Sequence, residues 1–267
     1  MNYPNRIVCL TEETTETLYL LGEQDRIVGI SGFTVRPPQA HKEKPKVSAF
    51  TSAKIDKILA LKPDLVLGFS NLQADIAAAL IREGIDVHVF NQRSVEGILQ
   101  MITLLGAMVG VPDKAAALVA QYNRKFDEIR AEVANLPSHP RIYFEEWDEP
   151  MISGIGWVSE LITIAGGIDC FAELSTEQSA KQRIIADPLE VVNRAPDIII
   201  GSWCGKKFRS KLVAARPDWN LIPAVKNNLL FEIKSCDILQ PGPAALTDGL
   251  DQIRQIIKTW VKQQDHG

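Results

Sequence analysis

The stretch DKILALKPDLVLGF, Asp56 to Phe69, constrains the fold more than any other, because the chain writes it again as DPLEVVNRAPDIIIGSW, from Asp187 to Trp203. Each copy reads as a helix end, a Pro-Asp turn, a short apolar strand and a glycine followed closely by an aromatic. The residue ahead of a proline is pushed out of the α region, so both helices must stop there. An unbroken apolar run of four or five residues suits a strand covered on both faces, as in a parallel sheet. Two such units in different halves of a 267-residue chain predict two similar α/β lobes. With 46% of its residues apolar, the chain can fill two cores of ordinary size, and the expectation is a soluble globular protein.

The rest of the sequence keeps the same alternation. RIVCL, Arg6 to Leu10, precedes TEETTETLYLLG, where Thr11, Thr14 or Thr15 can cap a helix that Gly22 ends. RIVGIS follows, then a Pro-rich loop, TVRPPQAHKEKPKV. SAKIDKILALKPD is read as a helix, LVLGF as a strand, LQADIAAALIREG as a helix and IDVHVF as a strand. The second half repeats the programme with RIYFE, GWVSELITIAGG, ADPLEVVNRAP, DIIIGSW and LLFEI, and closes on a helix whose stripe is Leu250, Ile253, Ile257 and Trp260. Alternation of this kind means parallel pairing and right-handed crossovers.

Between the halves, residues 113–136 carry no proline or glycine, and Ala115, Leu118, Tyr122, Phe126, Ile129 and Val133 recur at helical spacing. At 1.5 Å per residue such a helix spans about 35 Å, a stiff element in place of a flexible linker. The expected fold is therefore α/β, two Rossmann-like lobes with mainly parallel sheets joined by one long backbone helix, with the ligand cleft between the lobes. Its parts are an N-terminal lobe over 1–111, the helix over 112–137 and a C-terminal lobe over 138–267. In open parallel sheets ligands gather at the carboxyl ends of strands. If both lobes turn those ends toward one another, Phe69 and Trp203 face a common cleft.

Charge and cysteine usage exclude several classes. A net charge of −4 and a pI near 5.7 argue against nucleic acid, whose partners are usually basic. No run approaches the roughly 18 apolar residues of a membrane span, so membrane contact would be made through a partner. Cys9, Cys170, Cys204 and Cys236 form no C-x-x-C pair, which removes the common zinc and redox signatures. The chain opens MNYPNRIVCLTEE and enters its first strand at once. Two compartments stay open: periplasmic if a leader has been removed, cytoplasmic if Met1 is the native start.

The phrases I-x-x-L-K-P-D-L-V and P-D-I-I-I, the opening RIVCLTEETTETLYLLG and the loop VGISGFTVRPPQA together resemble the helical-backbone substrate-binding proteins of ABC importers for cobalamin, ferric siderophores and haem. The likeness covers essentially the whole chain and lies nearest the cobalamin-binding receptors. It implies a monomeric receptor that captures a bulky small molecule, cobalamin or another corrinoid, and delivers it to an ABC permease, with no cofactor of its own and no turnover. It also implies one acidic docking residue on each lobe; Asp75 stands near the first position, whereas the second falls in the basic GKKFR.

The residues predicted to contact the ligand follow strands: Glu12 and Glu13, Phe33, Phe50, Phe69, Glu146 and Trp147, Trp157, Trp203 and Lys206, and Asp237 and Gln240. Flat aromatic walls give contact area to a corrin-like ligand at low rotamer cost. Strand alternation sends Glu145 and Glu146 to opposite faces, so only one of them points at a ligand; a solvated acidic loop accounts for YFEEWDEP equally well. Lys206, Lys207 and Arg209 either grip an anionic group or form a solvated rim. Facing carboxylates leave a hydrolase as the alternative, acting on a corrinoid, a nucleoside-like compound or a siderophore, and a cytoplasmic binder of such compounds stays open as well. His41, His88, His139 and His266 converge on no reading, so no metal site is expected, and Tyr143 inside its strand is a poor haem ligand. Phosphate-loop and nucleophile-elbow motifs are absent from the sequence.

Overall fold

A computed structural model describes residues 3–264; Met1 and His266 lie outside the described residues. The chain divides into two compact units, one holding residues up to Gln92 with Glu96–Tyr122 and Pro241–Ala244, the other holding Arg93–Val95, Asn123–Gln240 and the rest of the C-terminal segment.

The first unit alternates β1 (Ile7–Cys9), α1 (Glu12–Leu20), β2 (Ile27–Ser31), α2 (Pro38–Glu43), β3 (Lys46–Ser48), α3 (Ile55–Ala60), β4 (Leu65–Phe69), α4 (Ala74–Arg82) and β5 (Val87–Phe90), followed by α5 (Val95–Met108). Its five strands lie in the order β3-β2-β1-β4-β5, every pair parallel. Ile7, Val8, Leu67 and Val66 are wholly buried, the signature of strands sandwiched between helix layers. α1 ends as expected, with Gly22 at φ +75 supplying the left-handed turn that a side chain would strain.

The second unit carries β6 (Arg141–Asp148), β7 (Met151–Ser153), α7 (Gly156–Ile164), β8 (Ile168–Asp169), α8 (Ala172–Ser175), α9 (Leu189–Arg194), β9 (Ile198–Gly201), α10 (Ser210–Ala214), α11 (Pro223–Lys226), β10 (Leu230–Glu232), α12 (Ser235–Ile238) and α13 (Leu250–Gln264). The order β10-β9-β6-β7 has β8 also pairing β6; only the β6–β7 pair is antiparallel. Tyr143, Phe171, Val191, Ile199, Trp203, Phe208 and Trp219 pack into its core. α6 (Pro112–Val133) is continuous across the division at Tyr122 and Asn123.

The twinned phrase has one local solution in both units. α3 and α9 each give way to a left-handed residue ahead of the proline, Lys62 at φ 47 and Ala195 at φ 45. The aspartate that follows then reaches back to the neighbouring strand. Asp64 accepts from the Asn5 and Arg6 amides at 2.8 and 2.9 Å, and Asp197 accepts from the Arg141 amide at 2.8 Å. The two arginines close the motif, Arg6 Nε donating to Leu61 O and Arg141 Nε to Arg194 O, at 3.0 and 2.9 Å. Strand, turn and helix end are thus tied at the amino edge of each sheet, opposite the edge where ligands gather.

Three local expectations need correction. The Pro-rich stretch is not a loop throughout: Pro38 opens α2, because its fixed φ suits the first helical position, and β3 follows. YFEEWDEP is not a solvated loop: β6 runs on to Asp148 and folds back on β7, with Glu145 fully buried. α3 is shorter than the sequence suggests because Ala53 is taken by a bridge to Ser48.

Candidate functional site

Because the five strands of the first sheet are parallel, their exits share one edge. Gln73 stitches that edge together: its Nε2 donates to Phe50 O at 2.8 Å and to Leu10 O at 3.4 Å, and its Oε1 accepts from Phe69 N at 2.9 Å. Gly68 leaves the room for this, since a Cβ there would lie 2.8 Å from that Oε1. Phe50, Phe69 and the start of α1 are thereby held on one frame. Phe33 and Leu72 stand outside it, 66% and 56% exposed, large apolar faces left to solvent.

α1 begins with carboxylates at a helix N-terminus, where the dipole favours them, but burial governs their chemistry. Glu12 Oε2 accepts from Val35 N at 3.2 Å, and Glu13 Oε1 from Thr11 Oγ1 at 2.7 Å. The second oxygen of each is buried with no hydrogen-bond partner. Burial pushes Glu12 up to about 8, against the Val35 amide and helped by the neighbouring Glu16 and Glu13 charges. It pushes Glu13 up to about 7, against the Thr11 hydroxyl. Glu16 differs, holding Arg36 Nε at 3.1 Å and the Ala244 amide at 3.0 Å. Gly242 packs directly on α1, where a Cβ would stand 2.4 Å from Glu13 Cβ.

At the carboxyl edge of the second sheet, Glu145 is the organiser. Its carboxylate, 0% exposed, accepts from Arg216 through NH1 at 2.5 Å and NH2 at 3.0 Å, from Trp203 Nε1 at 3.1 Å and from Tyr143 OH at 2.9 Å. Four donors satisfy a charge that burial alone would not tolerate. Trp203 is fixed twice, by that bond and by an edge-on contact with Phe208 at 5.1 Å between centroids. The Lys206 ammonium lies 4.3 Å from the Trp147 ring and 4.9 Å from the Trp203 ring, with Asp148 at 2.5 Å. A cation between two indoles and a carboxylate is a preorganised aromatic site.

Glu146 takes the opposite face from Glu145, as alternation requires, and forms a two-pronged pair with Arg183 at 2.6 and 3.1 Å. Arg183 is 1% exposed and also donates to Ser153 O. Burial lowers the Arg93 guanidinium, which feels both Arg183 and Glu146. Arg93 lines a cavity of about 330 Å³ with Gly156, Ser159, Glu160 and Ser175; Gly156 is required there, since a Cβ would sit 2.4 Å from Arg93 O.

The residues chosen from sequence therefore fall into three placements. Glu12, Glu13, Phe33, Phe50 and Phe69 occupy the exits of the first sheet. Trp147, Trp203 and Lys206 form one connected cluster at the exits of the second, while Glu146, on the opposite face, pairs with Arg183. Trp157, Asp237 and Gln240 belong to the same unit but not to that cluster: Trp157 is buried on α7 with Nε1 bonded to Ile238 O at 2.9 Å, Asp237 on α12 meets Gln252 at 3.1 Å, and Gln240, half-buried, follows α12. Gln73, Arg93, Arg183 and Arg216 were not chosen. A Gln four residues past the end of β4 is a usable signal for Gln73; Arg183 and Arg216 have none, since the carboxylates they answer lie 37 and 71 positions away.

Among the described residues no group of three His, Cys, Asp or Glu side chains could hold a metal ion. His41 and His139 bond backbone carbonyls of Thr34 and Gly166, both at 2.8 Å. No helix among the described residues is long and apolar enough to cross a membrane.

The whole architecture recurs in proteins already known. The chain is 24% identical over 264 residues to a vitamin B12-binding protein of Vibrio cholerae, covering 97% of this chain and 91% of that protein. A solved structure described as a possible iron-binding (periplasmic solute-binding) protein of Staphylococcus epidermidis superposes with a TM-score of 0.81 at 20% identity, over 96% and 99% of the two chains. The haem-binding protein RhuT of Roseiflexus superposes with 0.80 at 21% identity, over 95% and 99%. The pattern described as "Periplasmic binding protein" matches residues 7–236, and the chain belongs to that family, the substrate-binding proteins of ABC importers.

Proposed function

We propose that this chain captures a corrinoid of the cobalamin type outside the cytoplasm and hands it, as a monomer, to an ABC permease. The observation that carries the reading is the pairing of flat aromatic surface with fixed polar groups at the strand exits. Phe33 is largely exposed and Trp147 half-buried, while Trp203, in the core, backs Lys206 and is fixed by a fully bonded carboxylate. A corrin ring offers broad apolar faces rimmed by amides, which such walls and charges can grip with little rotamer loss. The vitamin B12-binding relative supports this choice of ligand, since it aligns over nearly the whole chain. Haem is the less favoured cargo because Tyr143 is buried and bonded to Glu145, and His41 and His139 are turned to backbone carbonyls.

The sites chosen from sequence become, on this reading, contact residues, with Arg93, which lines the cavity of about 330 Å³, added for anionic groups of the ligand, and with Arg183 fixing Glu146 from behind. Asp75, exposed in the first turn of α4, is the proposed docking carboxylate. On this reading Glu145 and Glu146 organise the site rather than act as acid and base, since each is held by a guanidinium.

The test is size-exclusion chromatography of the protein with cyanocobalamin, haemin and a ferric siderophore, read by visible absorption. A corrin spectrum should co-elute with the protein, and Trp147→Ala and Phe33→Ala should each weaken binding by about tenfold, as for an aromatic anchor. Retention of the haem or siderophore band with no corrin band overturns the choice of ligand. Trp203→Ala is the poorer test, because it also strips a donor from buried Glu145.

A further inference from the structure

We propose that Cys204 and Cys236 are a reversible dithiol, and that a small-molecule disulfide oxidises them to an intrachain bridge tying the loop after β9 to α12. The inference stands apart from the corrinoid reading and needs no ligand.

The geometry comes from paired strands. β9 and β10 run parallel with Gly201 opposite Glu232, and Ile233 N donates to Gly201 O at 3.1 Å, so the segments that follow leave the sheet side by side. They meet where the Ser235 side chain hydrogen-bonds the Cys204 thiol. Cys236 is the next residue, and consecutive Cα atoms are about 3.8 Å apart. A bridge asks for Cα atoms roughly 4.4 to 6.8 Å apart, a spacing this juxtaposition brings within reach. The Cys204 side has room to adjust: Cys204 is exposed, and at Gly205, with φ +77, a Cβ would meet nothing within 4 Å.

The other two cysteines do not compete. Cys9 and Cys170 are buried, and burial pushes each thiol up to about 12, leaving almost no thiolate to react. Burial, and then the Glu146 carboxylate, also raise Cys204, so exchange is slow at neutral pH and quickens as pH rises.

With oxidised glutathione the steps balance. The Cys204 thiolate attacks one glutathione sulfur, the glutathione S–S bond breaks, and one glutathione thiolate leaves. The Cys236 thiolate then attacks the Cys204 sulfur of the mixed disulfide and expels the second glutathione. Two protons and two electrons pass from the protein to the oxidant.

The full-length protein is incubated with oxidised glutathione at pH 8.5, acid-quenched, and its thiols counted by intact and peptide mass spectrometry in denaturant. The expected product has lost two hydrogens, keeps two of its four cysteines as thiols, carries no glutathione and yields a linked Cys204–Cys236 peptide. Cys236→Ser should instead stall as a stable glutathione adduct on Cys204. In the oxidised wild type, trypsin cleavage after Lys206 and Lys207 should slow severalfold and recover with dithiothreitol. Four unchanged thiols, a lasting glutathione adduct on wild-type Cys204, or a bridge through Cys9 or Cys170 would each overturn the proposal.

Discussion

Glu145 shows how a single side chain can set an entire edge. Its carboxylate is the common acceptor for Tyr143, Trp203 and Arg216, so the orientation of Trp203 depends on an ion pair between residues 71 positions apart. Breaking a buried pair is costly because the remaining charge has lost its counter-ion. Arg216→Met keeps packing volume against Trp219, whose ring lies 4.5 Å below the guanidinium, and should lower unfolding free energy by about 3–5 kcal/mol. Adding Glu145→Gln to that variant should recover a large part of the loss, since it removes the stranded charge. Urea unfolding followed by tryptophan fluorescence reads both, and a cost for Arg216→Met below about 1 kcal/mol, the range of an exposed pair, would show that Glu145 is not organised in this way. The sequence marked Glu145 and Glu146 as facing opposite ways, and they do, but local pattern carries no information on which distant arginine answers each.

At the scale of elements, the repeated Pro-Asp phrase was legible because every part of it acts locally. Proline stops the helix, the apolar run makes the strand, and the aspartate needs only the adjacent strand's amides. The phrase builds the amino edges of both sheets, so its conservation of form within one chain reports on folding. Asp197→Ala removes the acceptor for Arg141 N and should cost about 1–2 kcal/mol. Asp64→Ala, which strands two amides, should cost at least as much. Chemical denaturation measures these, and a Asp197→Asn variant that retains stability would confirm that an acceptor rather than a charge is needed. Elements whose form depends on non-local partners were misread. α2 hides behind prolines because Pro at a first helical position looks the same in sequence as Pro in a loop. The hairpin of β6 and β7 hides behind acidic residues because Arg183, Arg216 and Lys206, which neutralise Glu146, Glu145 and Asp148, arrive from elsewhere in the chain.

For the molecule as a whole, the titrating groups pull stability in opposite directions with pH. Glu12 and Glu13 are raised by burial to about 8 and about 7, and burial likewise raises Glu160 and Asp169. In the unfolded chain these carboxylates release their protons near their ordinary values, 4.5 for the glutamates and 3.8 for Asp169. Between those values and about 8 the folded protein therefore holds protons that the unfolded chain has lost, and linkage makes stability fall as pH rises through this window. Glu23 and Glu132 act in the reverse sense. Burial opposes Glu23, but its hydrogen bonds to Arg26 and Lys114 keep it below the ordinary range, and Lys258 and Arg254 do the same for Glu132, so their contribution is lost only below about pH 4.5. The two sets together place maximum stability on the acid side of neutrality, near pH 5. Melting temperature should be higher at pH 5 than at pH 8, and Glu12→Gln with Glu13→Gln should flatten the decline and leave the doubly substituted protein the more stable at pH 8. Because each substitution also removes one negative charge from a chain of net charge −4, Glu128→Gln on the exposed face of α6 is the control. It should leave the slope unchanged, and an equal flattening by Glu128→Gln would assign the effect to general charge repulsion instead of to the two buried carboxyls.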